Sequence, residues 1–265
     1  SMSLGAYCGE FYTNDCGPDD SISQTVDNAV DAGVVVVVAA GNSGPFKRTI
    51  GSPGTARKAI TVGASDKKDT LAYFSSRGPV SWGNLTMSKP DIVAPGVKIC
   101  ASEWNGAWSD KRCFDNKHVS ISGTSMATPH VAGTAALLKQ AHPDWTTDDI
   151  KTILKNSAED LGLLTVEQGM GRVDALKSVN SNLLPFAEIM LERYDWNSNN
   201  IVGTASSSNF ENYSLYYSVE GDTQNWKKIA NYNISVDNGV LHSNLDPFLF
   251  SDGKNYVIKL EVRDK

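Results

Sequence analysis

Gly123-Thr124-Ser125-Met126-Ala127-Thr128-Pro129-His130-Val131-Ala132-Gly133 is the stretch from which the fold is read. A turn of small residues delivers a serine just as an apolar run opens. Val131, Ala135, Leu137, Leu138 and Ala141 continue that run with few helix breakers, so the segment is read as a buried helix. A serine at a helix N-terminus sits beside unpaired backbone N–H groups and the positive end of the helix dipole, and both favour negative charge nearby. The tight turn also exposes its Oγ. On this reading Pro129 falls in the first turn, where a missing N–H costs little. Taken alone, Ser125 also fits an ordinary capped helix, since Ser and Thr are common caps.

Upstream, Val34-Val35-Val36-Val37-Val38 is apolar at every position, which marks a central parallel strand covered on both faces. Ala39-Ala40-Gly41-Asn42-Ser43-Gly44-Pro45 ends that strand in a loop at its C-terminal end, where open α/β sheets place ligands. Asp19 or Asp20 caps a preceding helix that carries Ile22, Val26, Ala29 and Val30 and stops at Gly33. Further strands are expected at Ala59 to Val62 and Val97 to Cys100, and Val119 to Ser122 returns the chain to Ser125. A second amphipathic helix runs from about Thr147 to Ala158, and Gly169-Met170-Gly171 turns into a short last one. Past residue 184 helical periodicity gives way to short alternating segments: Glu188 to Tyr194, Ile201 to Ala205, Tyr213 to Glu220, Trp226 to Ile229, Val240 to His242 and Tyr256 to Val262. That spacing predicts a small β-sandwich, fibronectin- or immunoglobulin-like, over residues 186–265, after an α/β domain over 1–180.

A length of 265 residues, 40% hydrophobic and 20% charged, describes one large or two smaller globular domains. The net charge of −6 argues against a nucleic-acid partner, and no apolar run is long enough to cross a bilayer. Four cysteines allow three pairings, of which the two local ones, Cys8 with Cys16 and Cys100 with Cys113, are favoured. Together with sequons at Asn84, Asn212 and Asn233, they point to an extracellular protein. The cysteine spacing fits no zinc pattern.

The eleven-residue string around Ser125 resembles the nucleophile motif of the subtilisin-like serine proteases, the subtilases. Other family motifs follow in the family's order: Ser3-Leu4-Gly5, Ala39-Ala40-Gly41-Asn42, Phe74-Ser75-Ser76-Arg77-Gly78-Pro79, Pro90-Asp91-Ile92-Val93-Ala94-Pro95-Gly96 and Gly169-Met170-Gly171. The likeness covers roughly residues 1–178. It implies a parallel sheet with helices on both faces, and a serine endopeptidase that needs no cofactor for its chemistry. It assigns Ser125 as nucleophile and Asn42 as oxyanion donor, with the backbone N–H of Ser125 as the second donor. Ser3, Leu4, Gly5, Ala39, Ala40, Gly41 and Thr124 would line the substrate pocket, with Gly51 at its base. The partner implied is a protein or peptide substrate.

One departure stands out. The family's aspartate and histidine motifs precede Ser3-Leu4-Gly5, and neither is in this chain. His130 is a poor substitute, because five residues along a helix turn about 500°, which points it some 140° away from Ser125. Asp91 reads as structural. The simplest account is the C-terminal part of a subtilase that is inactive alone, with the base and its aspartate carried by a missing N-terminal segment. A pseudoprotease, or an adhesion protein acting through residues 186–265, is the alternative. Structural calcium is frequent in the family; Asp15, Asp19 and Asp20 form an acidic cluster that reads first as a solvated cap and only second as a calcium site. Trp104, Trp108 and Cys113 lie in what reads as an insertion. Core packing is favoured over ligand binding for Tyr213, Tyr216, Tyr217, Trp226 and Tyr232.

Overall fold

A computed structural model describes residues 1–6, 16–82, 85–181, 186–189, 199–207, 209–220, 222 and 224–265. The chain divides into two compact units, Ser1–Ser181 and Asn182–Lys265.

The first unit is built on a parallel sheet of three strands, β1 (Val37–Ala39), β2 (Ile60–Ser65) and β5 (Ile92–Pro95), in the order β1-β2-β5. The valine run explains why helices cover both faces. Val37 joins the cluster formed with Ala127, Val131, Ala135 and Leu138 of helix α2 (Thr124–Ala141). Val36 and Val38 join Val26 and Val30 of helix α1 (Ser21–Asp31) on the opposite side. Val34, expected within the strand, precedes it and is exposed. Asp20 is the N-cap of α1, accepting from the Ser23 N–H at 2.7 Å, and Gly33 follows the helix with φ +90°, a conformation that glycine adopts without strain.

Helix α3 (Thr147–Asn156) opens with a capping box between Thr146 and Asp149 and buries Ile150, Ile153 and Leu154 in the α2 cluster. Two short helices, α4 (Thr165–Gln168) and α5 (Ala175–Asn180), close the unit. Strands β3 (Val80–Trp82) and β4 (Leu85–Met87) form one hairpin, and β6 (Ile99–Ser102) and β7 (His118–Ile121) form another. The second hairpin carries Trp104, Trp108 and Phe114 exposed at its far end, and a Cys100–Cys113 disulfide closes it. Cys16 is disulfide-bonded, while Cys8 lies outside the described residues, as does Asn84.

Two details of α2 depart from expectation. Leu137 is 50% exposed and Ala141 is also exposed, so the buried stripe runs instead through Thr124, Ala127, Thr128, Val131, Thr134, Ala135 and Leu138. The buried threonines are accommodated because Thr128 Oγ1 donates to the Thr124 carbonyl at 2.8 Å, and Thr134 Oγ1 to that of His130 at 2.9 Å. The helix also begins at Thr124, with Gly123 as cap, which places Pro129 beyond the first turn. A proline there does remove a helical hydrogen bond, the one that the Ser125 carbonyl would accept from residue 129.

At the N-terminal ends of β2 and β5 lies a charged cluster. Asp91 accepts from Lys89 Nζ at 2.6 Å and from the Thr61 N–H at 2.7 Å, and Lys151 Nζ stands 3.4 Å away. The side chains of Lys89 and Asp91 are 3% and 4% exposed. Burial lowers Lys89 to about 8 despite the favourable charge of Asp91. Burial opposes ionisation of Asp91, but Lys151, Lys89 and Lys155 outweigh it and hold the carboxyl well below its usual range. A carboxylate so engaged has a structural role.

Among its described residues the second unit contains two three-stranded antiparallel sheets. One joins β8 (Phe186–Ile189), β9 (Ile201–Ser206) and β12 (Val236–His242). The other joins β10 (Phe210–Val219), β11 (Lys227–Tyr232) and β13 (Tyr256–Asp264). Ile201, Ala205, Tyr213, Leu215, Leu241 and Leu245 form their shared core, with Ile258, Leu260 and Val262 packed against it. Most of the strand expected at Glu188 to Tyr194 falls outside the described residues. Tyr213 and Tyr232 belong to the core, and Tyr217 meets Phe250 edge-on. Tyr216 and Trp226 do not: Lys259 Nζ lies over both rings, 4.9 and 4.6 Å from their centroids, on the other face of the sheet.

Candidate active site

Ser125 is the second residue of α2 and is half-buried. Its turn is fixed from the sheet side, since the Gly123 N–H donates to the Gly96 carbonyl at 2.8 Å. Gly96 lies just past β5, where a Cβ would stand 2.7 Å from both Ala64 Cβ and the Gly123 carbonyl, so the backbone approach there needs glycine.

Asn42 lies three residues beyond β1, on the exposed rim of the same cleft. Its amide is oriented by Thr124, whose backbone N–H and Oγ1 donate to Asn42 Oδ1 at 2.9 and 3.0 Å. The Thr124 N–H requires an acceptor, which fixes the oxygen end of the amide. The Nδ2 end lies on the Gly123 side, 3.5 Å from where a Cβ on that glycine would be. Thr124 Oγ1 in turn accepts from the Gly41 N–H at 3.2 Å. Gly41 has φ +107°, and a Cβ on it would stand 2.9 Å from Ser76 Oγ. Ser76 holds the loop by donating its N–H to the Gly41 carbonyl at 3.0 Å and accepting from the Ser43 N–H at 3.1 Å. The arrangement can therefore present two donors, Asn42 Nδ2 and the Ser125 N–H, beside one hydroxyl.

Every pocket residue expected from the sequence lines a single cavity of about 340 Å³: Ser3, Leu4 and Gly5, Ala39, Ala40 and Gly41, Gly51 and Thr124, together with Asn42 and Ser125. Residue 2 pairs in parallel with Val38 and residue 6 in antiparallel with Ser52, which leaves the Ser3–Gly5 stretch along the cavity wall. A Cβ on Gly51 would stand 2.4 Å from the Ala6 carbonyl, so position 51 admits only glycine. Ala6, Ser43 and Thr49 also line the cavity and were missed in the sequence. No sequence signal marks Thr49, which is placed by a remote partner: its Oγ1 accepts from the Arg77 N–H at 2.9 Å, and Arg77 is ion-paired with Glu167.

None of the four histidines serves Ser125. His130 is exposed, with its Nδ1 2.8 Å from the Met126 carbonyl. His118 pairs with Asp115 at 2.7 Å, His142 stacks on Trp145 with centroids 3.7 Å apart, and His242 Nδ1 lies 2.7 Å from the Tyr232 hydroxyl. Ser125 Oγ donates instead to the Ser3 carbonyl at 3.2 Å. In the acidic cluster, Asp19 is paired with Arg57 at 2.7 Å, Asp20 serves α1, and Asp15 lies outside the described residues. Among the described residues no group of three His, Cys, Asp or Glu is placed to hold a metal ion, and no helix is long and apolar enough to cross a membrane.

Comparison with known proteins gives the family. Residues 1–172 match the sequence profile of the subtilase family. The serine protease AprX of Bacillus subtilis (strain 168) is 45% identical over 170 residues, which are 60% of this chain and 37% of that protein. Subtilisin BL of Lederbergia lenta is 40% identical over 158 residues, or 60% of this chain and 51% of that protein. Among solved structures, a protease from Pseudoalteromonas arctica PAMC 21717 aligns with a TM-score of 0.53 and 31% identity, covering 67% of this chain and 49% of that one. The chain thus spans about half or less of the length of these relatives. It belongs to the subtilase family.

Proposed function

We propose that this chain is the nucleophile-bearing part of a subtilisin-like serine endopeptidase that acts on polypeptides outside the cell. Ser125 Oγ attacks the scissile carbonyl carbon while its proton passes to a base. The oxyanion so formed accepts from Asn42 Nδ2 and the Ser125 N–H. Collapse of the intermediate expels the amine, which leaves with that proton, and gives an acyl-enzyme that water then hydrolyses. The base and its orienting aspartate are assigned to sequence upstream of Ser1, because all four histidines here are engaged elsewhere. Structural calcium, if the whole protein holds it, is assigned to no donor set among the described residues.

The observation that carries the reading is the pinning of Asn42 Oδ1 by both hydrogen-bond donors of Thr124, which leaves the NH₂ group for the cleft. The test is hydrolysis of a chromogenic peptide by the protein with its own upstream sequence, by its Ser125→Ala and Asn42→Ala variants, and by residues 1–265 alone. Ser125→Ala should abolish turnover. Asn42→Ala should lower kcat about 10²–10³-fold, and the lone chain should be about 10⁶-fold impaired; both figures were measured on a subtilisin and are carried over by resemblance. Full activity in either variant overturns the reading.

A further inference from the structure

One contact at the site is explained by neither motif nor family assignment. Ser3 and Ser125, 122 positions apart, exchange two hydrogen bonds. Ser3 Oγ donates to the Ser125 carbonyl at 2.9 Å, and Ser125 Oγ donates to the Ser3 carbonyl at 3.2 Å. The first is unusual, because a carbonyl inside a helix normally accepts from the N–H four residues on. Four residues on from Ser125 is Pro129, which has no N–H. The Ser125 carbonyl is thereby freed from the helix ladder at the residue that carries the nucleophile, and the hydroxyl that takes it belongs to the cavity wall.

We propose that Ser3 is a positioning residue for Ser125, and that the gap Pro129 leaves in the helix is what makes it one. The inference rests on the endopeptidase reading above. The Pro129 gap lets the wall and the nucleophile be joined directly, hydroxyl to carbonyl, so that the distance between them is set by two hydrogen bonds. Ser3 is exposed and packs no core, so it acts on the reaction through Ser125 and not through the stability of the unit. The second bond holds the Ser125 hydroxyl toward the wall until a base draws its proton away.

The two serines and the proline make a double-mutant cycle the natural test. In the protein with its upstream sequence, Ser3→Ala should lower kcat about tenfold, the order expected when a polar group loses its partner, and change KM for a short peptide less than twofold. Ser3→Thr keeps a hydroxyl and should recover most of the loss in kcat seen in Ser3→Ala. Pro129→Ala supplies the missing N–H, so adding Ser3→Ala to it should cost less than twofold. Thermal unfolding of all four variants, and adduct formation with a peptide aldehyde, are followed in parallel; the aldehyde affinity should fall with kcat in Ser3→Ala and recover in the double variant. A purely structural role for Ser3 would show as equal losses in both backgrounds, tracking the melting temperature, and that result overturns the proposal. So does a Ser3→Ala variant as active as its parent while Ser125→Ala is dead. If Ser125→Ala itself retains activity, the endopeptidase reading fails, and this inference with it.

Discussion

Replacing Asp91 by asparagine isolates a charge from a shape. The side chain is 4% exposed, and the substitution keeps an oxygen for the Thr61 N–H while removing the negative charge that faces Lys89 and Lys151. Lys89, itself 3% exposed, would then be a buried cation facing neutral acceptors, the amide oxygen of residue 91 and the Ala59 carbonyl at 3.0 Å. Breaking a buried pair in this way costs about 3–5 kcal/mol, and since the Thr61 contact survives we expect about 3. For a unit of this size that is a fall in melting temperature of about 6–12 °C. Asp91→Leu, which also strands the Thr61 N–H, should cost about 1–3 kcal/mol more. The pH dependence supplies a second check. The folded pKa of Asp91 is depressed, so between the unfolded value near 4 and the lower folded one the unfolded state binds more protons. The stabilisation is present above about pH 4 and is lost progressively as pH falls through that window, so the gap between the parent and Asp91→Asn should narrow steadily below pH 4. Urea titrations between pH 7 and pH 2.5 read both effects. A gap below 1 kcal/mol at pH 7, or one that stays constant into acid, would refute the reasoning.

Two further perturbations follow from single positions. Gly41→Ala forces an L side chain to φ +107° and a Cβ to 2.9 Å from Ser76 Oγ; it should cost at least about 1–2 kcal/mol in thermal unfolding and lower kcat by displacing Asn42, so full activity would separate the loop from the oxyanion donor. Tyr213→Phe removes a buried hydroxyl that donates at 2.7 Å to the carbonyl of Leu241, where the pairing of β12 with β9 is irregular; it should destabilise the second unit by about 1–3 kcal/mol in urea, and a loss below 0.5 would mean that another donor reaches that carbonyl.

Legibility from sequence followed the range of the physics. The two-sided strand was readable because Val36, Val37 and Val38 carry their environments in their own side chains. The cap of α1 was readable to within one residue, Asp19 or Asp20, because capping is local. Ser125, Asn42 and the pocket residues could be named only through the resemblance, and the cavity they line is assembled by sheet pairing that no single stretch encodes. What stayed hidden depended on partners remote in sequence. Nothing near Asp91 announces Lys151, sixty positions later, and nothing near Ser3 announces the carbonyl that Pro129 leaves open. Leu137 misled because an apolar residue in a helical run counts toward the core wherever its face points. Tyr216 and Trp226 were expected in the core for want of any sign of Lys259 lying over them.

The Thr124 amide offers a use beyond architecture. It is the first N–H of a helix, a group that commonly faces water and exchanges its hydrogen quickly, yet here it ends on the side chain of Asn42 at 2.9 Å. Its exchange rate is therefore a clock for the orientation of that side chain. When the amide of Asn42 swings out of register, the Thr124 hydrogen is released to solvent; when it is seated, the hydrogen is protected. An exchange measurement at one backbone position would thus report how often the site is assembled, without substrate, inhibitor or turnover.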